Sequence, residues 1–150
     1  MGGGRRPRGN SARGAIFGRI SPMKRKTLLA GLAAAAACGA GLYYYYSGMS
    51  AAEVVRKLSS QRLALAFYAR EHKAPPAVFE NTVRAGTLEA PLPLKLPRHF
   101  RTSKVRNVPS FGITDSGGWA YVNGPGDRNF GLLFIDCSHR DEKGRFWSEF

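Results

Sequence analysis

The chain has 150 residues, with 23 basic and ten acidic side chains and a formal net charge of +13. The charge is unevenly distributed, because residues 1–50 carry eight of the basic side chains and no acidic one. Residues 51–150 therefore carry fifteen basic and ten acidic side chains, a balance that argues against a uniformly basic nucleic-acid-binding protein. About 100 residues suffice for one modest hydrophobic core.

Residues 1–26 form a basic segment that contains Gly2 to Gly4 and Pro7. A segment of this composition is too polar to bury a core, so we predict a disordered tail. Its charges precede an uncharged stretch, which is typical of a signal that holds the N-terminus in the cytoplasm. We therefore expect a cytoplasmic tail over 1–26 and no nucleic-acid partner for it.

The uncharged stretch runs from Thr27 to Tyr46. Its length, at about 1.5 Å per helical residue, matches a hydrocarbon core about 30 Å thick, so we predict a transmembrane helix over 27–46. The four tyrosines Tyr43–Tyr46 then lie at the outer headgroup level. With this topology, we expect residues 47–150 to form an extracytoplasmic domain. The protein would cross a bacterial inner membrane once.

Other interpretations of the N-terminus stay open. Translation from Met23 instead of Met1 would make the apolar segment a cleaved secretion signal. The sequence before Cys38 loosely resembles a lipoprotein cleavage site, and an organelle transit peptide is a further alternative. The apolar run continues past Cys38 to Tyr46, which favours the permanent anchor.

Small residues recur at a spacing of four within the predicted membrane helix, at Gly31, Ala35 and Gly39. Small side chains at this period let helices approach closely in lipid, so we expect this stripe to pack against another helix.

A second helix is predicted from Ser50 to His72. Ser50 and Glu53 have the spacing of a capping box, and Pro75 prevents the helix from continuing far beyond His72. Leu63 and Phe67 fall on the face opposite the main apolar stripe, so we expect them to face a partner. Because Gly48 does not by itself break a helix, we expect one rod from about Leu28 to His72. The predicted stripe consists of Ala51, Val54, Leu58, Gln61, Leu65, Tyr68 and Ala69.

The rest of the chain is predicted to be a short helix, an irregular connection and strands. The helix lies within 77–86 and ends at Gly86, and the proline-rich connection covers 87–110. Strands are predicted at 119–122, 130–137 and 146–150, the second of them covered on both sides.

This order of elements resembles a type IV pilin or a type II secretion pseudopilin over residues 27–150. The segments that carry the resemblance are SSQRLALAFYAREHKAPP at 59–76, VRAGTLEAPLPLKLP at 83–97, TDSGGWAYVNG at 114–124 and IDCSHRDEKGRFWSEF at 135–150. The resemblance implies an α+β fold, with a long N-terminal helix packed on a small antiparallel sheet. It also implies assembly with other pilin-like subunits or secretion-complex membrane proteins. The membrane segment lacks the family's glutamate, so we expect no cleavage by a prepilin peptidase.

One short segment of the sequence contains three side chains that can bind metals. Asp136, Cys137 and His139 are close in sequence, but two metal-type ligands do not make a site, and the spacing of His99 adds nothing. The sequence therefore predicts no transition-metal site. The resemblance to pseudopilins leaves calcium as a weaker option, with Asp115, Asp127, Asp136 and Asp141 as the candidate ligands.

No pattern of nucleophile, acid and base indicates an enzyme, and no cofactor is predicted. The function expected from the sequence is therefore that of a pilin-like assembly subunit. The alternative is an anchored extracytoplasmic binding domain, or a lipoprotein, with no role in a polymer.

Overall fold

The computed structural model describes Met1 and residues 22–150, so most of the predicted disordered tail lies outside the described residues. The chain divides into two compact units, Met1–Cys38 and Gly39–Phe150. The elements are α1 (Pro22–Tyr46), α2 (Ala51–His72), α3 (Glu80–Arg84), β1 (Val105–Val108), β2 (Trp119–Val122), β3 (Leu133–Ile135) and a final 3-10 helix (Trp147–Glu149).

Helix α1 contains the predicted membrane segment. It begins at Pro22, earlier than expected, since proline is well suited to the first helical position. Within it, Lys26–Tyr46 has a mean hydropathy of 1.4 and is long and apolar enough to cross a membrane. The helix is therefore compatible with a single-pass protein.

The predicted continuous rod is wrong, because residues 47–50 are not helical. Contacts from the 95–98 segment replace the helical hydrogen bonds: Arg98 donates its N–H to the carbonyl of Tyr45, and Met49 donates its N–H to the carbonyl of Lys95, both at 2.8 Å. A Cβ on Gly48 would lie 2.4 Å from Cδ of Pro97, so this segment also occupies the space beside residue 48.

Helix α2 has the predicted bounds and cap. The hydroxyl of Ser50 accepts a hydrogen bond from the N–H of Glu53, and the backbone of Lys73 adopts a left-handed conformation after the last turn. Leu63 and Phe67 are 57% and 54% exposed, as the prediction of a second apolar face requires. The buried residues of α2 are Ala51, Val54, Leu58, Gln61, Ala64 and Leu65.

The sheet is mixed, which corrects the predicted antiparallel sheet. Its order is β1-β2-β3, with β1 parallel to β2 and β2 antiparallel to β3. The prolines at positions 91, 93, 97 and 109 predict an irregular connection where strand β1 is found. Both faces of β3 are covered, since Leu133 and Ile135 join the main core and Phe134 joins a smaller cluster on the other face.

Three further predictions have mixed outcomes. The short helix before Gly86 is confirmed, and Gly86 has the positive φ of 76° that glycine tolerates. The strand predicted over 130–137 is shorter, at Leu133–Ile135. The strand predicted over 146–150 is wrong: the carboxylate of Glu149 accepts the N–H of Phe146 and caps a 3-10 turn.

Candidate metal centre

Four side chains from three segments of the chain converge on one point in the part of the structure that follows α1. They are His99, Asp115, Cys137 and His139, and one ligand atom from each lies within 4.8 Å of all the others. Nε2 of His99 lies 3.1 Å from Nδ1 of His139, and Sγ of Cys137 lies 3.4 Å from each of these nitrogens. The three atoms therefore form a compact triangle.

The carboxylate of Asp115 lies close to the two histidine corners of this triangle. Its Oδ1 lies 3.7 Å from Nε2 of His99 and 3.6 Å from Nδ1 of His139. A tetrahedral zinc ion with bonds of about 2.0–2.3 Å separates its ligand atoms by about 3.3–3.8 Å. The observed spacings lie at or near this range, so the cluster has the size of a tetrahedral zinc site.

Cys137 and His139 are positioned by the end of strand β3. Cys137 is fully buried directly beyond that strand, and its N–H donates to the carbonyl of Ile135 at 3.0 Å. The carbonyl of His139 accepts the N–H of Trp147 at 3.1 Å, which attaches the segment to the final 3-10 helix. Residues 137 and 139 thus present their side chains to one side.

His99 reaches the cluster from the loop that follows Leu96. The N–H of His99 donates to the carbonyl of Leu96 at 3.2 Å, and the carbonyl of His99 accepts the buried ammonium of Lys95 at 2.6 Å. Gly117 lies directly beneath the ring, since a Cβ at that position would be 2.1 Å from Cγ of His99. The loop and the glycine together fix the imidazole.

Asp115 is positioned by the hydrogen bonds that surround the buried carboxylate of Asp136. Asp115 has a left-handed φ of 62°, and its N–H donates to Oδ1 of Asp136 at 3.0 Å. Its own carboxylate accepts the N–H of Ser138 at 2.8 Å, which ties it to the segment that carries Cys137 and His139. The Asp115 side chain is 40% exposed and so is the most accessible of the four ligands.

The pKa shifts describe a neutral imidazole at His99, a neutral thiol at Cys137 and a carboxylate anion at Asp115. Burial lowers the pKa of His99, which keeps its imidazole in the neutral form that binds metals. Burial raises the pKa of the Cys137 thiol to about 11, so a metal ion has to displace its proton. Burial also acts to raise the pKa of Asp115, but hydrogen bonds from Ser138 and the nearby imidazoles outweigh it and hold that pKa below its usual value.

The four calcium candidates do not form one ligand cluster among the described residues, although Asp115 and Asp136 are neighbours. Only Asp115 joins a ligand cluster within the described residues. Asp136 is saturated by hydrogen bonds and an ion pair with Arg106. The carboxylate of Asp141 pairs with Arg145 at 2.7 Å, and that of Asp127 accepts the N–H of Asn129, also at 2.7 Å.

Sequence reasoning considered Cys137 and His139 but did not connect them with His99 or with Asp115 as a transition-metal ligand. The distance in sequence hides the relation, since His99 precedes Cys137 by 38 residues. The glycine pair before Trp119 was a usable signal of close packing, because the ring of His99 packs directly against Gly117.

Comparisons with protein-family models, with curated proteins and with solved structures gave no match.

Proposed function

We propose that this chain is a membrane-anchored domain that binds one zinc ion through His99, Asp115, Cys137 and His139. The observation that carries the proposal is the close approach of the four ligand atoms: five pairs lie 3.1 to 3.7 Å apart, and all four atoms lie within 4.8 Å of one another. One thiolate and two imidazoles select zinc over calcium or magnesium, which prefer oxygen ligands. A thiolate and a carboxylate also balance the charge of a divalent ion.

The role that this site supports best is structural. Four protein ligands fill a tetrahedral zinc ion and leave no position for a substrate, unlike catalytic sites, which have three protein ligands and a water molecule. The ion would join the loop of His99, the loop of Asp115 and the segment after β3. A non-catalytic binding or scaffolding domain follows from this role.

The proposal is tested by the metal content of the full chain purified in detergent without added chelator. We expect roughly one zinc ion per chain, and loss of most of it in Cys137→Ser and His99→Ala. His72→Ala is the matched control, because His72 is exposed on α2 and its Nδ1 lies 3.0 Å from the carbonyl of Tyr68, outside the cluster. Each variant is also checked for folding by circular dichroism.

Cobalt substitution adds a direct probe of the thiolate. In a Cys38→Ser background, Cys137 is the remaining thiol, so thiolate-to-cobalt charge-transfer absorption reports on that residue alone. Absence of this absorption, together with zinc content equal in the wild type and in Cys137→Ser, would contradict the site. In that case the four side chains form only a hydrogen-bonded cluster.

A second candidate function is assembly with pilin-like subunits or secretion-complex membrane proteins. The observation that favours it is the exposure of Leu63 and Phe67 on α2, opposite the buried stripe. A photo-crosslinking amino acid at position 67 should capture a second copy or a pilin-like protein in native membranes. The same group at the exposed Phe111, which packs on Phe134 and lies away from α2, should not. Equal capture from both positions, or none, would remove this candidate.

A further inference from the structure

The loop formed by residues 98–101 combines an exposed aromatic ring with exposed basic side chains. Phe100 is 72% exposed, the largest exposed fraction among the large hydrophobic residues between 26 and 150 apart from Tyr43 at 78%. Arg98 and Arg101 flank it and are also exposed, and the loop contains no acidic residue. His99, between them, points instead into the metal cluster.

This loop is attached to the last turn of the candidate membrane span. The N–H of Arg98 donates to the carbonyl of Tyr45 at 2.8 Å, and the rings of Tyr45 and Phe100 meet edge to face with centroids 6.3 Å apart. The ammonium of Lys95 lies 4.9 Å from the ring centroid of Tyr44 and donates to the carbonyl of Ser47 at 2.8 Å. The level of the loop relative to the tyrosines is therefore fixed.

We propose that the 98–101 loop is a contact surface for the headgroups of anionic phospholipids. Tyrosines at the end of a membrane helix lie at headgroup level, and the loop is bonded to one of them. A neighbouring exposed phenyl ring then enters the boundary between headgroups and acyl chains, while the arginines meet lipid phosphates. Asp115 lies beside His99, and its carboxylate is engaged by the two histidines and Ser138.

The proposal goes beyond metal binding, although the two share one loop. His99 would hold the middle of the loop to the metal centre, so that Arg98 and Phe100 project away from it. The hydrogen bond and ring contact with Tyr45 hold the loop independently of any ion. Because the two sites share a loop but are held by different contacts, lipid contact and metal content are measured on the same samples.

The test uses the full chain in lipid nanodiscs with brominated acyl chains, which quench nearby tryptophans. Phe100→Trp introduces a probe in the loop, and unaltered protein gives the baseline, because Trp119 and Trp147 are buried. Phe111→Trp is the matched control, since Phe111 is also exposed but packs on Phe134 at the other face of the sheet.

We expect quenching of F100W several-fold above the baseline and quenching of F111W close to the baseline. The F100W signal should be stronger in phosphatidylglycerol than in phosphatidylcholine, and a variant that also carries Arg98→Gln and Arg101→Gln should lose this difference. Equal quenching of F100W and F111W, or no dependence on lipid charge, would overturn the proposal.

Metal analysis separates this failure from failure of the zinc site. Strong quenching of F100W in samples that contain no zinc supports the lipid surface and contradicts the metal centre. Bound zinc without quenching of F100W supports the metal centre and contradicts the lipid surface.

Discussion

Gly117 packs so closely against the ring of His99 that a side chain at position 117 would overlap with it. A Cβ at residue 117 would approach Cγ of His99 to 2.1 Å and its Nδ1 to 2.4 Å. Gly117 also has a φ of 69°, which side-chain-bearing residues rarely adopt. The imidazole therefore keeps its place because residue 117 has no side chain. The relation links a glycine in one loop to a proposed ligand in another.

Gly117→Ala should displace the ring of His99 and weaken zinc binding. Changes to groups that orient a metal ligand typically reduce affinity by about 10- to 100-fold, and we expect a loss in this range. Competition with a chelating indicator measures it. Gly126→Ala is the control, because a Cβ there meets nothing within 4 Å and its φ is not in the left-handed range. Equal affinities in the two variants would show that His99 is not a ligand.

Asp136→Asn should lower the stability of the domain. The carboxylate of Asp136 is buried and accepts six hydrogen bonds, from Thr114, Asp115, Ser116 and Arg106. Removing one partner of a buried ion pair costs about 3–5 kcal/mol, and we expect the lower end because Arg106 is partly exposed. Urea unfolding followed by tryptophan fluorescence measures the loss. Asp127→Asn keeps a side-chain oxygen that can accept the N–H of Asn129, so it should change stability little.

Local signals made α2 predictable. The cap at Ser50, the apolar period and the prolines after His72 act within a few residues of the helix they define. The break before Ser50 was not predictable in this way, because it depends on hydrogen bonds to the carbonyl of Lys95 and from the N–H of Arg98, about fifty positions later in the chain. Tertiary contacts replaced the helical partners of the Tyr45 carbonyl and the Met49 N–H.

The metal centre was only partly predictable for a similar reason. Cys137 and His139 are neighbours in sequence, and their shared direction follows from the strand before them. The approach of His99 and Asp115 depends on the parallel pairing of β1 with β2, which carries the connection of residues 109–118 back to the cluster. Sequence analysis predicted an antiparallel sheet and no strand at β1, so this approach could not be derived.

The two faces of α2 should respond differently to the same substitution. Leu65 is 7% exposed within the core, so Leu65→Asp buries an unpaired charge and should unfold the domain. Phe67 is 54% exposed, so Phe67→Asp should leave the fold intact. Thermal unfolding of the full chain in detergent compares them. If both variants unfold to the same extent, residue 67 contributes to the core and the two-face description of α2 is wrong.

Lys95→Met should loosen the attachment of the 95–101 segment. The ammonium of Lys95 donates to the carbonyls of Ser47, Leu96 and His99 at 2.6–3.2 Å, and a methionine removes these three bonds. The carbonyl of Leu96 keeps the N–H of His99, so two part-buried carbonyls lose this donor. An unsatisfied buried group costs about 1–3 kcal/mol, and at the lower end for each of the two we expect a fall of about 2 kcal/mol. Hydrogen exchange of the amide of Arg98 should accelerate. The exposed Lys104, changed to methionine, is the control and should have neither effect.

The C-terminal residue Phe150 should lie outside the cytoplasm. Residues 1–26 hold eight basic side chains and no acidic one, and α1 provides one apolar span after them, so the N-terminal charges should remain on the cytoplasmic side. A reporter fused after Phe150 should be active only if it requires export, and a cytoplasmic reporter at the same position should be silent. Replacing Lys24, Arg25 and Lys26 by glutamine should shift part of the population to the opposite orientation, because the charge asymmetry is reduced. An active cytoplasmic reporter on the unaltered chain would contradict the anchored topology, and with it the lipid contact proposed for the 98–101 loop on the exported side.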